Sequence, residues 1–129
     1  EIPDFAVRVV ADDRSVYVGA AQRPAGENYG AIYEVDPADG AILRRVETRY
    51  RPEGLAITDD HLWVSACFDR PVSSCVLDRA TLSLQGSVDV YGFSNAVGEG
   101  AIWSVRQVQV DGFISEGELS RIDPGPFGG

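Results

Sequence analysis

The chain has 129 residues, which is room for one ordinary domain. Hydrophobic residues make up 44% and charged residues 24%, a composition that can build a core and excludes a disordered tail. The formal net charge of −9 argues against binding nucleic acid or an anionic membrane through bulk electrostatics. No apolar run reaches the length of a membrane-spanning helix.

Short runs rich in β-branched and aromatic residues follow one another along the chain, and helical periodicity is weak. Clusters of Asp, Gly and Pro separate these runs, as turns require. The pattern predicts an all-β fold. The predicted strands are 7–10, 15–19, 31–35, 42–46, 55–58, 62–66, 75–78, 82–90, 101–110 and 119–122.

One unit of the sequence occurs three times, with a spacing of about 40 to 45 residues. Each copy has an aromatic residue in a strand and, further on, an Asp that opens a turn. The aromatic positions are Tyr17, Trp63 and Trp103, and the turn positions are Asp36, Asp78 and Asp123. Four short strands per unit of this length are typical of a propeller blade. We therefore expect Trp63 and Trp103 to be buried between neighbouring sheets.

The string GLAITDDHLWVSA followed by VLDRATL, with IYEVDPADG and RIDP in the sister units, resembles the blades of YVTN-type, NHL and virginiamycin-B-lyase-like β-propellers. The resemblance implies an incomplete β-propeller of roughly three four-stranded antiparallel blades. The blades would span about 3–49, 50–91 and 92–129. The fold itself hosts many unrelated functions, so it implies no single activity.

Three blades do not close a ring, because propellers typically have four to eight. An open stack would leave an apolar face and strand edges exposed to water. The interpretations are a fragment of a longer propeller, a partner chain that carries the remaining blades, or a second copy of this chain. A compact β-sandwich is the alternative if the blade count is wrong.

The two cysteines, Cys67 and Cys75, flank the loop between two predicted strands of the second blade. Neighbouring antiparallel strands bring such pairs within disulfide reach, so a disulfide is predicted. It would imply an oxidising, extracytoplasmic compartment, secreted or periplasmic. The alternative is two reduced, half-buried thiols. No Cys-x-x-Cys pair or His cluster accompanies them, which disfavours a metal site.

His61 is the only histidine, and it follows two aspartates in a predicted turn. It could serve as a general base, but we interpret it as an exposed turn residue. No motif for a Ser or Cys nucleophile accompanies it. Asp36 to Gly40 resembles part of a calcium loop, yet Asp and Gly at these positions are also what a tight turn requires, and we favour the turn.

In the propeller topology, the loops after the second strand and before the first strand of each blade emerge on one face. The long loops of this chain, 20–29, 67–74 and 106–118, belong to that face, as do the connections 49–53 and 91–95. Aromatic residues and arginines on long loops are typical of recognition surfaces. Packing between blades is the alternative role for these aromatics. The candidate binding residues are Tyr29, Tyr50, Arg51, Phe68, Arg70, Tyr91, Phe93 and Arg106.

These features favour a non-enzymatic binding or scaffold module that recognises a protein or a glycan and needs no cofactor. The alternative is part of a metal-dependent enzyme. Gluconolactonase-like propellers hold a divalent metal at the channel mouth with Glu, Asn and Asp. Glu53 and Asn95 are expected at matching points of successive blades, with Asp4 at the comparable point of the first. Virginiamycin-B-lyase-like chemistry needs a ring histidine, which His61 does not supply.

Overall fold

The computed structural model describes residues 1–22, 28–65, 73–88, 94–110 and 112–128. These residues form three antiparallel sheets of four, four and three strands, with no α-helix among them. The prediction of an all-β fold is confirmed.

Sheet 1 is a meander in which the strands lie in chain order. Its second and third strands are almost fully buried, whereas the fourth alternates between exposed and partly buried residues, as expected at an edge. Its strands are β1 (Phe5–Ala11), β2 (Val16–Ala21), β3 (Gly30–Val35) and β4 (Ile42–Thr48).

Sheet 2 repeats this meander, and sheet 3 contains its first three strands. A single turn of 3₁₀ helix, Gly125–Phe127, follows sheet 3. The strands of sheet 2 are β5 (Leu55–Ile57), β6 (His61–Ser65), β7 (Ser74–Asp78) and β8 (Leu84–Val88). Those of sheet 3 are β9 (Ser94–Gly98), β10 (Ala101–Val110) and β11 (Phe113–Ile122).

Two expectations about the strands were wrong. The predicted strand 101–110 is β10, but the long loop expected over 106–118 is wrong, because residues 106–110 and 113–118 belong to β10 and β11, where Arg106 lies opposite Glu118. Leu82, expected in a strand, lies in the turn before β8 with a positive φ of 55°. β9 was not among the predicted strands.

The sheets are stacked in chain order, and their first strands are neighbours, because β5 packs beside both β1 and β9. We call the face of each sheet that carries Tyr17, Trp63 or Trp103 its back face, and the opposite face its front face. Tyr17 and Trp63 are each 1% exposed and pack against the front face of the following sheet.

Trp103 differs from its two counterparts. It lies on the back face of sheet 3, where its indole N–H donates to the Gly98 carbonyl at 2.9 Å and the Arg121 guanidinium lies over its ring. It is only partly buried. The expected burial between sheets is therefore confirmed for Trp63 and not for Trp103, since no described residues form a sheet behind sheet 3.

The turn aspartates of the three units have one role in common. The carboxylates of Asp36, Asp78 and Asp123 each accept a hydrogen bond from the backbone N–H two residues further on, at 2.7 to 2.9 Å. This is the Asx turn that a short polar side chain stabilises. The interpretation of Asp36 to Gly40 as a turn is confirmed, with Gly40 at a φ of 76°.

Candidate functional site

The meander gives the stack two different ends. The β1–β2 and β3–β4 connections lie at one end, which we call the turn end. The β2–β3 and β4–β5 connections lie at the other, the loop end. Of the recognition residues predicted from the sequence, Tyr29, Tyr50 and Arg51 lie in described segments at the loop end.

The structure brings Tyr29 and the segment around Tyr50 together at the loop end of sheet 1. The Tyr29 N–H donates to the Arg49 carbonyl at 3.0 Å, and the Tyr29 side chain is 50% exposed. The Tyr50 carbonyl accepts a hydrogen bond from the Thr48 hydroxyl at 2.6 Å. Gly30 permits this approach, because a β-carbon there would overlap both Thr48 and the Tyr50 carbonyl.

Arg51 lies beside this pair and is exposed. Its Nε donates to the Glu53 carboxylate at 2.7 Å, and its Nη2 lies 2.5 Å from the same oxygen. Arg51 thus presents a partly neutralised guanidinium in the residue that follows Tyr50.

The remaining recognition residues are not brought into this cluster by the described part of the chain. Phe68, Arg70, Tyr91 and Phe93 lie outside the described residues. The backbone of Arg106 lies within the β10–β11 hairpin rather than in a loop. Their proposed role stays a prediction.

Cys75 is 1% exposed and lies opposite Val64 in the β6–β7 pair. Cys67 lies outside the described residues. The Cys67–Cys75 disulfide therefore stays a prediction.

The two residues of the alternative metal site do not occupy matching positions. Asn95 lies opposite Ser104 as Leu55 lies opposite Val64, so the register matches Asn95 with Leu55 and not with Glu53. Asn95 donates to the Ser65 hydroxyl at 2.9 Å. Within the described part of the chain, no three residues of the His, Cys, Asp and Glu types are grouped to hold a metal ion.

Asp4, the third residue of that alternative, bonds within sheet 1 instead. Its carboxylate accepts a hydrogen bond from the Tyr33 hydroxyl at 2.5 Å and lies 3.3 Å from Arg45. The N-terminal segment is thereby held to the front face of sheet 1.

The turn end carries a polar cleft between sheets 1 and 2, with a volume of about 490 Å³. Four carboxylates and the single histidine line it, together with arginines from both sheets. Among its lining residues are Arg14, Glu34, Asp59, His61, Asp78 and Arg79.

Arg79 is the central residue of the polar cleft. Its guanidinium grips the Asp12 carboxylate with two hydrogen bonds, of 2.7 and 3.1 Å, across the sheet boundary. It also donates to the Tyr17 hydroxyl at 3.2 Å and to the Thr58 carbonyl at 2.9 Å. Bidentate binding of this kind is the geometry in which arginine excels. The two hydrogen bonds from Arg79 to the Asp12 carboxylate hold the pKa of Asp12 well below its ordinary value.

A second ionic contact lies beside the first. Arg44 donates to the buried Glu34 carboxylate at 2.8 Å and to the Arg79 carbonyl at 2.6 Å, and the Ser15 hydroxyl also donates to Glu34. Burial acts to raise the pKa of Glu34, but the hydrogen bonds from Arg44 and Ser15 outweigh it and lower the pKa overall. Both arginines act as clasps between sheets 1 and 2.

His61 is partly buried at the start of β6, and its ring meets the Phe127 ring edge to face with centroids 5.5 Å apart. His61 was expected to be an exposed turn residue. It is instead a strand residue that is partly buried, because the Phe127 ring covers the imidazole. Phe127 also packs edge to face on Trp63.

Sequence reasoning missed the clasp of Arg79 and the packing of Phe127. One signal was present for Arg79: the turn aspartates of the sister units are followed by Pro37 and Pro124, whereas Asp78 is followed by Arg. A change from proline to arginine at a repeated position indicates a contact specific to one unit.

A groove of about 410 Å³ runs along the neighbouring first strands β1, β5 and β9. Apolar side chains such as Val10, Leu55 and Val97 line most of it, and its polar members are Asp12, Thr58, Asp59 and Asn95.

No protein-family model and no curated protein matches this chain. The resemblance to the YVTN, NHL and virginiamycin-B-lyase-like blades thus rests on the sequence pattern alone. Within the described ranges, no helix has the length and apolar character needed to cross a membrane.

Proposed function

We propose that the chain is a non-enzymatic binding or scaffold module built as three consecutive blades of a β-propeller. The observation that carries the proposal is the stacking of the sheets in chain order with their first strands side by side. In a propeller the first strand of each blade lines the axis, which agrees with this arrangement. A second copy of this chain or another chain would complete the ring.

The loop end is the proposed recognition face, and its ligand is a protein or a glycan. The support is the cluster of the half-exposed Tyr29 ring with the Tyr50 segment and Arg51. Tyrosine offers a large apolar surface with a polar tip at a low entropic cost, and arginine can pair with acidic or hydroxyl groups. The predicted Cys67–Cys75 disulfide would place such a module in an extracytoplasmic compartment.

The test is binding of the purified chain to an array of oligosaccharides and, separately, of extracellular-matrix proteins. The variants are Tyr29→Ala and Arg51→Ala, with Leu43→Ala as the control, because Leu43 is 53% exposed on the edge strand β4. We expect the first two to lose binding at least tenfold with an unchanged melting temperature, and the control to bind like the wild type. Equal binding by all variants would contradict a loop-end site.

The metal-dependent alternative has a direct test of its own. Calorimetric titration with calcium, zinc and manganese, before and after Glu53→Gln, separates the two classes. The binding-module proposal expects no saturable heat that depends on Glu53, since its carboxylate already pairs with Arg51 at 2.5 Å. Stoichiometric binding that disappears in the variant would favour the enzyme.

A further inference from the structure

The aromatic residue on the back face packs against the next sheet in sheets 1 and 2, but no described sheet lies behind sheet 3. Tyr17 packs on the front face of sheet 2, and Trp63 packs on the front face of sheet 3. On the back face of sheet 3, Trp103, with the Arg121 guanidinium over its ring, is joined by Val105 and Leu119, which are opposite one another and are 46% and 63% exposed. An apolar group of this kind on an exposed sheet face marks an interaction site.

The front face of sheet 2 shows what such a contact requires. Four leucines from four different segments lie in one buried cluster with Tyr17, and each is at most 5% exposed. They are Leu55 of β5, Leu62 of β6, Leu77 of β7 and Leu82 of the following turn. The Trp63 contact has Ile102, Ile122 and Phe127 at three of the matching positions of sheet 3, with Asn95 at the fourth. A partner for Trp103 therefore needs apolar residues at most of these positions.

At these four positions the front face of sheet 1 carries three valines and a glycine. The pairing of Val9 with Val18 matches that of Leu55 with Val64, and the pairing of Val16 with Val35 matches that of Leu62 with Leu77. Gly40 stands four residues after the turn aspartate, as Leu82 does, and both have a positive φ. Val9 is 68% exposed.

Side-chain size is complementary between the two unfilled faces. Trp103 is larger than Tyr17, and Val9, Val16, Val35 and Gly40 are each smaller than the leucine at the matching position. A well-packed interface conserves total volume, so the larger aromatic residue suits the smaller front face. Ile2 covers the neighbouring part of the front face, against Val18 and Tyr33, and leaves Val9 outside that contact.

We propose that a second copy of this chain seats the front face of its sheet 1 on the back face of sheet 3, around Trp103. The contact is head to tail, and it occurs twice in a pair of chains, which closes a dimer of six sheets. The proposal rests on the propeller arrangement of the preceding section and assigns its partner. The interface continues the two sheet boundaries already present within one chain.

The first test is the mass of the purified chain by sedimentation equilibrium across the micromolar range. We expect twice 13.9 kDa, with association strengthened by salt, because two chains of net charge −9 repel one another. A monomer at all concentrations and salt levels would overturn the proposal. It would leave the loop-end proposal standing, since that proposal is tested by the binding of Tyr29 and Arg51 variants.

Two charge substitutions identify the faces. Val9→Asp on the front face and Leu119→Asp on the back face should each weaken the dimer about 100-fold or more. Leu43→Asp on the exposed edge strand is the matched control and should dimerise like the wild type. Circular dichroism and thermal unfolding check that all three variants fold, as exposed positions allow.

Mixing the two variants separates head-to-tail from back-to-back association. A mixture of Val9→Asp and Leu119→Asp chains contains one intact front face and one intact back face, which meet at a single unaltered interface. Head-to-tail association predicts that the mixture recovers a dimer that neither variant forms alone. A dimer that Leu119→Asp abolishes and Val9→Asp leaves intact would be back to back, and it would overturn the proposal.

Discussion

The guanidinium of Arg79 in sheet 2 grips the carboxylate of Asp12 in sheet 1 through two hydrogen bonds, of 2.7 and 3.1 Å. The Arg79 side chain is only 7% exposed, whereas that of Asp12 is 30% exposed. This pair fastens the turn ends of two sheets whose middles are joined by the Tyr17 cluster.

Removal of the Arg79 side chain should lower the free energy of unfolding by more than the loss of one exposed ion pair would. Arg79→Ala leaves the Asp12 carboxylate with only its backbone hydrogen bonds and removes the bond to the Tyr17 hydroxyl. We expect a loss of about 2 to 4 kcal/mol in the free energy of unfolding, reduced by the partial exposure of Asp12. Urea unfolding followed by circular dichroism measures it. Arg14→Ala is the control, because Arg14 is 56% exposed, its nitrogen lies 4.0 Å from Asp12 and its hydrogen bond to the Asp59 carbonyl is exposed to solvent; it should cost about 1 kcal/mol or less. Equal losses for both variants would contradict the clasp.

The same contacts predict how stability depends on pH. The pKa values of Asp12 and Glu34 are lowered in the folded state, so their contribution is fully present above the ordinary carboxyl pKa of about 4. It is lost progressively as the pH falls below that value, because the unfolded chain binds protons first. Urea midpoints measured from neutral pH down to about pH 3 should fall steeply for the wild type and less steeply for Asp12→Asn. An identical slope in both proteins would remove Asp12 from the explanation.

Leu82 is a leucine in a position that favours glycine. Its φ of 55° is left-handed, yet its side chain is 5% exposed in the Tyr17 cluster. Leu82→Ala should cost about 2 to 4 kcal/mol of unfolding free energy, because it empties the site and keeps the backbone strain. Leu82→Gly relieves that strain, so we expect it to be at least as stable as Leu82→Ala despite its smaller side chain. Thermal unfolding ranks the variants, and Leu84→Ala, at a residue 54% exposed, should change little. A Gly variant clearly less stable than the Ala variant would contradict the strain.

Gly30 leaves the space in which the loop-end segments of sheet 1 approach one another closely. A β-carbon there would overlap Thr48 and the Tyr50 carbonyl and lie 2.7 Å from Pro52. Gly30→Ala should therefore lower the free energy of unfolding by about 1 to 3 kcal/mol. Gly117→Ala is the matched control within a strand, since nothing lies within 4 Å of its β-carbon position, and it should be neutral. A Gly30→Ala protein of wild-type stability would contradict the close approach.

The repeated features of the fold were predictable from the sequence because they depend on local chemistry. Runs of β-branched and aromatic residues indicated the strands, and clusters of Asp, Gly and Pro indicated the turns, in which the Asp36, Asp78 and Asp123 carboxylates accept backbone hydrogen bonds. The burial of Trp63 followed from the repeat. Leu82 was misplaced because an apolar residue next to a strand extends the pattern, and its positive φ has no sequence signal.

Contacts between distant residues were not predictable. Arg79 and Asp12 are 67 residues apart, and their pairing depends on how two sheets are stacked. Trp103 is partly exposed because no described sheet packs behind sheet 3. The spacing of a repeat does not specify which sheets have a neighbour. The candidate site was predictable only in part: the approach of Tyr29 to the Tyr50 segment depends on the space that Gly30 leaves.

Acrylamide quenching of Trp63 fluorescence tests the stacking of the sheets most directly. In Trp103→Phe, Trp63 is the only tryptophan left, and its 1% exposure between sheets 2 and 3 predicts blue-shifted emission and quenching several-fold weaker than for a free indole, at every protein concentration. Emission like that of free tryptophan, with full quenching in a protein that circular dichroism shows to be folded, would contradict the stacked arrangement.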